Sequence, residues 1–365
     1  MRQHFIHHEP GHTTDVLDGF WMSYSKIEAN DGEAVNRYWL GIDKHSASII
    51  SSKSTEEDVS SWKAGASEEM STSSQNTELL HRSFSPEEGN KSILPEENIS
   101  QEEFDAKYQQ LEELGKGGFG FVFAGHRKSD SLPVAIKHIP NISVEDELQK
   151  YETPLEVALM QKAAGGPEAI GKSAAVSLLD WYYLDKELIL VMERPVPSME
   201  LSDYLISRGG SMDESEAKIL QKQLVDAAID LHTKGVFHQD IKCTNVLVEY
   251  GSGDPHIRII DFGCGSFLQR KPFWKFRGTL ELAPPEWHIR KKFKAGPTTV
   301  WQLGALLYRL LHGNMFHTMA FVSSRIGLST ELSQECLDFL QLCLAVRPKQ
   351  RATLQQMKHH PWLNT

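Results

Sequence analysis

His238-Gln239-Asp240-Ile241-Lys242-Cys243-Thr244-Asn245, followed by Asp261-Phe262-Gly263, sets a carboxylate base, a lysine and two oxygen-bearing metal ligands at a spacing suited to phosphoryl transfer. In that pattern Asp240 receives the proton of an attacking hydroxyl and Lys242 steadies the migrating phosphoryl group. Asn245 and Asp261 hold magnesium ions. Gln239 stands where arginine is usual. A lone His-x-Asp would be no more than a loop between strands, so the chemistry rests on the rest of the set.

Upstream, Gly115-Lys116-Gly117-Gly118-Phe119-Gly120-Phe121-Val122 is a complete G-x-G-x-x-G-x-V. Alone it could open a dinucleotide-binding strand-turn-helix unit. Its sequel argues against that: Phe121-Val122-Phe123-Ala124-Gly125 continues as a strand, and Val134-Ala135-Ile136-Lys137 forms another. The expectation is a hairpin lid over the phosphates of ATP. Gly115, Gly117, Gly118 and Gly120 would let backbone amides approach phosphate oxygens, Val122 and Ala135 would contact the nucleotide, and Lys137 would place a fixed charge against the α- and β-phosphates. A buried lysine needs a counter-charge. Glu156 is the candidate, on a helix near 153 to 164 that opens with Thr153 at its cap and Pro154 at its first position. Thr153 and Glu156 also have capping-box spacing, so Glu156 could instead satisfy a backbone amide. The presence of Lys137 favours the ion pair.

The elements that must position these residues follow from length and pattern. The chain has 365 residues, 40% hydrophobic and 24% charged, enough for a large core and too long for one compact domain. No run reaches the roughly 18 apolar residues of a membrane span, and the amino terminus lacks a signal-peptide apolar segment. A soluble, monomeric protein is expected, cytoplasmic or also nuclear, with neither nucleic acid nor membrane as partner. Cys243, Cys264, Cys336 and Cys343 form no Cys-x-x-Cys pair and have no partner histidines at zinc spacing, which points to reduced thiols. Cys264, next to Asp261-Phe262-Gly263, could be a reactive thiol or a small core residue.

The net charge of −11 is unevenly spread. Residues 1 to 107 hold 9 Lys/Arg and 20 Asp/Glu, whereas residues 108 to 365 hold 29 of each. An acidic, Ser/Glu-rich tail over 1–103 is therefore expected, largely disordered, with linker composition from about 44 to 103. Within it, residues 17 to 40 could hold a short docking element through Phe20, Trp21, Tyr24, Tyr38 and Trp39. His4, His7, His8 and His12 invite a metal reading that no framework supports.

From Tyr108 onward the pattern predicts α+β architecture. A small β-rich lobe (104–192) would be followed by a hinge (193–197) and a larger helical lobe (198–365). The span from Ser211 to Lys234 reads as an amphipathic helix with Ala217, Leu220, Leu224, Ala227 and Leu231 on one face, Ser211 and Glu214 as a capping box, and Gly235 as the stop. Ile257 and Ile259 alternate along a strand that ends at Asp261, forming a hairpin that brings the two magnesium ligands together.

Residues 108 to 365, about seven-tenths of the chain, resemble a protein kinase domain and specifically the PIM family of serine/threonine kinases. The marks are the hinge Glu193-Arg194-Pro195-Val196-Pro197, Leu178-Leu179-Asp180-Trp181, Pro284-Pro285-Glu286-Trp287, Val300-Trp301-Gln302-Leu303-Gly304, Leu344-Ala345-Val346-Arg347-Pro348 and His360-Pro361-Trp362. The resemblance implies a two-lobed fold, ATP and Mg2+ as cofactors, and the roles given above for Lys137, Glu156, Asp240, Lys242, Asn245 and Asp261. It further implies a brace between Arg351 and Glu286, Met192 guarding the back pocket, and constitutive activity. Glu200 and Asp203 would engage basic residues upstream of a target Ser/Thr in protein substrates, with Thr279 positioning the substrate.

The chain departs from the family at Gln239, at Thr244, where an acid is usual, and at Asn314-Met315-Phe316-His317, where an acidic stretch is missing. Pro195 falls where most kinases offer a backbone N–H to adenine, and proline has none, so one hinge bond should be absent while the Glu193 carbonyl can still accept. Between Asp261 and Glu286 the only hydroxyl side chains are Ser266 and Thr279. With Gln239 removing the usual phosphate-gripping arginine, activity without loop phosphorylation is expected. The same Gln239 keeps a second class open, a catalytically impaired kinase fold serving as a binding module.

Overall fold

A short helix, Gln101–Lys107, leads into the first strand, and its single buried residue, Phe104, has its ring centroid 5.6 Å from those of both Tyr108 and Tyr182. The computed structural model describes residues 101–118, 120–140, 153–184, 187–251 and 253–364. The readings made of residues 1–100 lie outside the described residues. The helix crosses the boundary expected at residue 103, because Phe104 has an aromatic seat on the sheet and draws its own turn with it.

Five antiparallel strands follow in the order β1-β2-β3-β5-β4: β1 (Tyr108–Gly117), β2 (Gly120–Arg127), β3 (Pro133–Pro140), β4 (Leu178–Leu184) and β5 (Glu187–Glu193). Alternation on β3 buries Val134 and Ile136 with Leu179, Tyr182, Ile189 and Val191. The helix Leu155–Ala164 buries Leu159 and Met160 in the main core. It starts one residue later than the expected Pro154, and Thr153 does not cap it. Pro154 is itself the N-cap, with φ −52° and ψ 140°, and its ring has no oxygen with which to make a side-chain cap bond.

The larger lobe is mainly helical. The 20-residue helix Glu214–Thr233 buries Ala217, Leu220, Leu224, Ala227 and Leu231 and stops before Gly235 at φ 76°. Its cap differs from expectation: the Asp213 side chain, not that of Ser211, accepts from Glu216 N at 2.9 Å. Glu214 is freed from capping, and its carboxylate accepts from Ser333 N and Oγ, each at 2.6 Å, and from Trp362 Nε1 at 3.1 Å. A second long helix, Ala295–His312, buries Trp301, Leu303 and Leu307 beside it. Small strand pairs complete the lobe: β6 (Ser198–Glu200) with β8 (Val246–Glu249), β8 with β9 (His256–Ile259), and β7 (Val236–Phe237) with β10 (Ser266–Phe267). Among the described residues no helix is long and apolar enough to cross a membrane.

Candidate active site

The β8–β9 hairpin sets the centre. Val246 pairs with Ile259, and Ile260 N donates to Asn245 O at 3.0 Å, so Asn245 and Asp261 leave the same end of the hairpin. Asp261 has φ 63°, in the left-handed region, which turns its carboxylate out of the strand line. Phe262 behind it is fully buried, its ring 5.0 Å from that of His238. Burial holds the His238 imidazole pKa below its usual range, and His238 Nε2 contacts Ile260 O at 3.1 Å.

Asp240 is buried and held on every side. Its Oδ1 accepts from Thr279 N at 2.7 Å, and its Oδ2 lies 3.1 Å from Asn245 Nδ2 and 3.0 Å from Lys242 Nζ. Lys242 Nζ also donates to Thr279 Oγ1 at 2.9 Å, so one ammonium links the base to the activation segment. Gly278 makes this approach possible: a Cβ there would lie 2.3 Å from Gln239 O and 3.1 Å from Asp240 Oδ1.

Across the cleft, Lys137 on β3 is buried, with Nζ 2.7 Å from Glu156 Oε1 and 2.9 Å from Asp261 Oδ1. Of the two readings left open for Glu156, the ion pair is the one the structure adopts. Burial disfavours the Lys137 ammonium, but the Glu156 and Asp261 carboxylates outweigh it and hold its pKa above the ordinary lysine value. Burial likewise opposes the charge on Asp261, and Lys137 reverses the balance, keeping that carboxyl below its usual range.

The lid hairpin pairs Gly115 with Val122, Lys116 with Phe121 and Gly117 with Gly120. A Cβ on Gly115 or Gly118 would meet nothing within 4 Å. Gly120 is needed for another reason: at φ 146° a Cβ would fall 1.8 Å from His138 O, so it serves the seam between β2 and β3. Register sets Val122 opposite Lys137 and Ala135 opposite Met192, which gathers four of the expected nucleotide-contacting residues around one floor. At the hinge, Pro195 O accepts from Ser198 Oγ at 2.8 Å. The Glu193 carboxylate is committed elsewhere, to Arg258 Nη2 at 2.6 Å, Gly171 N at 2.9 Å and Ser177 N at 3.1 Å.

The expected substrate acids differ in exposure. Glu200, half-buried, accepts from Ser202 Oγ at 2.9 Å, and burial raises its carboxyl pKa. Asp203 faces solvent. Glu286 and Arg351 form a two-pronged buried pair at 3.0 and 2.8 Å. Cys264 is buried with Sγ 3.1 Å from Arg277 O, and burial pushes its thiol up to about 12, which makes it a core residue and not a reactive thiolate.

The role of one position escaped sequence reasoning. Gln302 Nε2 donates to Gln239 O at 2.6 Å, fixing the catalytic loop from below. Its signal was a glutamine among the apolar positions of a buried helix. Gln239 itself, at φ 68°, donates from Nε2 to Ser266 Oγ at 2.6 Å, a neutral link to the activation segment where an arginine would be charged.

Magnesium fits the donor set. Asn245 Nδ2 is spent on Asp240 and Asp261 Oδ1 on Lys137, while among the described residues Asn245 Oδ1 and Asp261 Oδ2 accept no hydrogen bond. Those are two hard oxygen ligands on one hairpin end, as Mg2+ requires.

A buried lysine paired to a helix glutamate, a carboxylate base with its own lysine, and oxygen ligands under a glycine hairpin define a phosphotransferase of the two-lobed type. The protein kinase domain family matches residues 108–363, and the chain belongs to that family. The chain is 36% identical over 283 residues to the zebrafish serine/threonine-protein kinase pim-2, covering 74% of this chain and 89% of that protein. It is 30% identical to the Caenorhabditis elegans serine/threonine-protein kinase prk-2, over 71% of this chain and 59% of prk-2. With the mouse PAS domain-containing serine/threonine-protein kinase it shares 32% identity over 72% of this chain and 19% of that protein, so the matched region is a fraction of these last two relatives. The protein is a serine/threonine protein kinase.

Proposed function

We propose that the chain is a catalytically active, PIM-like kinase that transfers the γ-phosphoryl group of ATP to Ser or Thr of protein substrates without needing a phosphate on its activation segment. The observation that carries this is the closed set of contacts around Asp240, in which Thr279 N, Lys242 and Asn245 aim the carboxylate while Lys137 is already paired with both Glu156 and Asp261. The substrate hydroxyl loses its proton to Asp240 as its oxygen bonds to the γ-phosphorus and the bond to the β-γ bridging oxygen breaks, releasing ADP. Lys242 remains beside the transferring group, and Lys137 holds the α- and β-phosphates. Asn245 and Asp261 would hold magnesium, which when bound would neutralise charge on the phosphates. The Glu193 carbonyl would accept from the adenine amino group, with no partner N–H at Pro195.

Independence from loop phosphorylation rests on Ser266 and Thr279, the two hydroxyls of the segment. Ser266 is engaged by Gln239 and Thr279 by Lys242, so both already belong to the internal network. A preference for one Arg about three residues before the target follows from Glu200 and is weaker than a demand for several basic residues, since Thr244 and Asn314 are neutral.

The test is Asp240→Asn. Peptide phosphorylation should fall roughly 10²- to 10⁴-fold while ATP affinity stays nearly unchanged, because the side chain acts on the hydroxyl and not on the nucleotide. Turnover within a few-fold of wild type would remove Asp240 from this role. No turnover by the wild-type protein over a mixed peptide library would favour the binding-module reading that Gln239 suggests.

A further inference from the structure

Between Arg270 and Lys294 the chain carries eight Lys or Arg against two Glu, a formal surplus of six in a protein whose net charge is −11. One of the two acids, Glu286, is buried in its pair with Arg351. The cations come from two stretches that the backbone joins: Phe273 and Phe293 exchange N–H···O bonds of 2.8 and 3.0 Å. Arg270, Lys271 and Lys275 are exposed on the first stretch, and Arg290, Lys291, Lys292 and Lys294 on the second. Among the described residues none of these seven forms an ion pair.

The surface is braced from beneath. Phe237, Phe276 and Phe293 are buried together with Phe273 packed on them. Lys292 Nζ lies 4.6 Å from the Trp274 ring centre and Lys291 Nζ 4.0 Å from that of Trp287, so two ammoniums are fixed over aromatic faces. Trp274 is itself 65% exposed. Lys291 ends the helix Pro285–Arg290 in the left-handed conformation, at φ 49°. Fixed cations on an aromatic base lose little freedom when they pair with carboxylates.

Its place decides what it receives. The same segment runs on through Arg277, Gly278 and Thr279, whose amide binds Asp240, so this surface is continuous in sequence with the segment that meets the catalytic base. Glu200 lies on a different element, at the end of β6 next to the hinge. We infer that the basic face formed by the activation segment and the turn at Arg290–Lys294 binds an acidic stretch of the protein substrate, downstream of the target Ser/Thr. This rests on the kinase reading above, in which Glu200 receives the upstream Arg, and extends it to a two-ended charge code.

Two peptides test the inference, each with Arg three residues before Ser, one followed by a run of glutamates and one by alanines. The ratio of their kcat/KM values should be about tenfold in favour of the acidic peptide at low salt and should shrink as salt rises. In Lys271→Glu/Lys275→Glu, whose side chains have no ion-pair partner among the described residues, that ratio should fall to near one. Fluorescence anisotropy of the labelled acidic peptide on the Asp240→Asn protein reads binding without catalysis and should show the same loss in the triple variant. Equal kcat/KM for both peptides, a ratio unmoved by the double substitution, or anisotropy matched by an oligonucleotide or by anionic vesicles would overturn the inference while leaving the kinase reading intact. No turnover of either peptide with tight, substitution-sensitive binding of the acidic one would instead overturn the kinase reading alone.

Discussion

Asp240, Asn245, Lys242 and Thr279 make one connected unit, so a residue that only spaces them matters as much as one that reacts. Gly278 is that spacer. Its α-carbon sits where any side chain would press on Gln239 O, which accepts from Gln302, and on Asp240 Oδ1, whose sister oxygen Oδ2 accepts from Asn245. Gly278→Ala should therefore lift the activation segment from the catalytic loop and cost on the order of 10²-fold in kcat/KM, in line with the effect of an ångström of misplacement. Thermal unfolding should move little, since the strain is local. A variant with near wild-type turnover would mean that the segment contributes nothing to aiming Asp240. At this scale the sequence was most legible, because Lys137, Asp240, Asn245 and Asp261 are defined by chemistry and spacing that admit few alternatives, whereas for Glu156 the fold decided between Lys137 and a cap. Gln302 was not, since nothing in a helical pattern tells a polar buried residue from a misplaced surface one.

At the scale of elements, the link that joins the end of β5 to β9 was invisible in the sequence. Glu193 reads as a hinge residue, yet its carboxylate is buried against Arg258 of β9 at 2.6 Å, and Arg258 also reaches Glu249 at 3.0 Å. These partners are far apart along the chain and share no motif, so only the fold brings them together. Removing one member leaves a buried charge without its counterpart, which costs roughly 3–5 kcal/mol. Arg258→Met should lose about that much in urea unfolding, and Glu193→Gln/Arg258→Met should recover a large part of it. Equal destabilisation by the single and double variants would show that Arg258 matters for its packing alone. Helix extents were legible to within three residues: the span read from Ser211 to Lys234 is helical over Glu214–Thr233. Their caps were not, because Ser211 and Asp213 both have cap chemistry; Asp213 takes the Glu216 amide, while Glu214 is held by Ser333 and Trp362.

For the whole molecule, charge and burial point to a catalytic unit that begins earlier than its first strand. The aromatic contact of Phe104 with Tyr108 and Tyr182 joins the helix Gln101–Lys107 to the sheet, and Lys128 N donates to Lys107 O at 2.9 Å. A protein starting at Gln101 should be as active on peptide as the full chain and should keep that activity after phosphatase treatment, since Ser266 and Thr279 are engaged by Gln239 and Lys242. A protein starting at Tyr108 keeps every catalytic residue but loses the buried ring of Phe104, and should be less stable by roughly 3–5 kcal/mol, the usual cost of deleting a buried phenylalanine. Urea midpoints of the two truncated proteins, together with peptide turnover before and after phosphatase, measure both effects. Equal midpoints would make the helix an ornament of the sheet edge, and a large loss of turnover on dephosphorylation would show that the network around Gln239 does not hold the activation segment by itself.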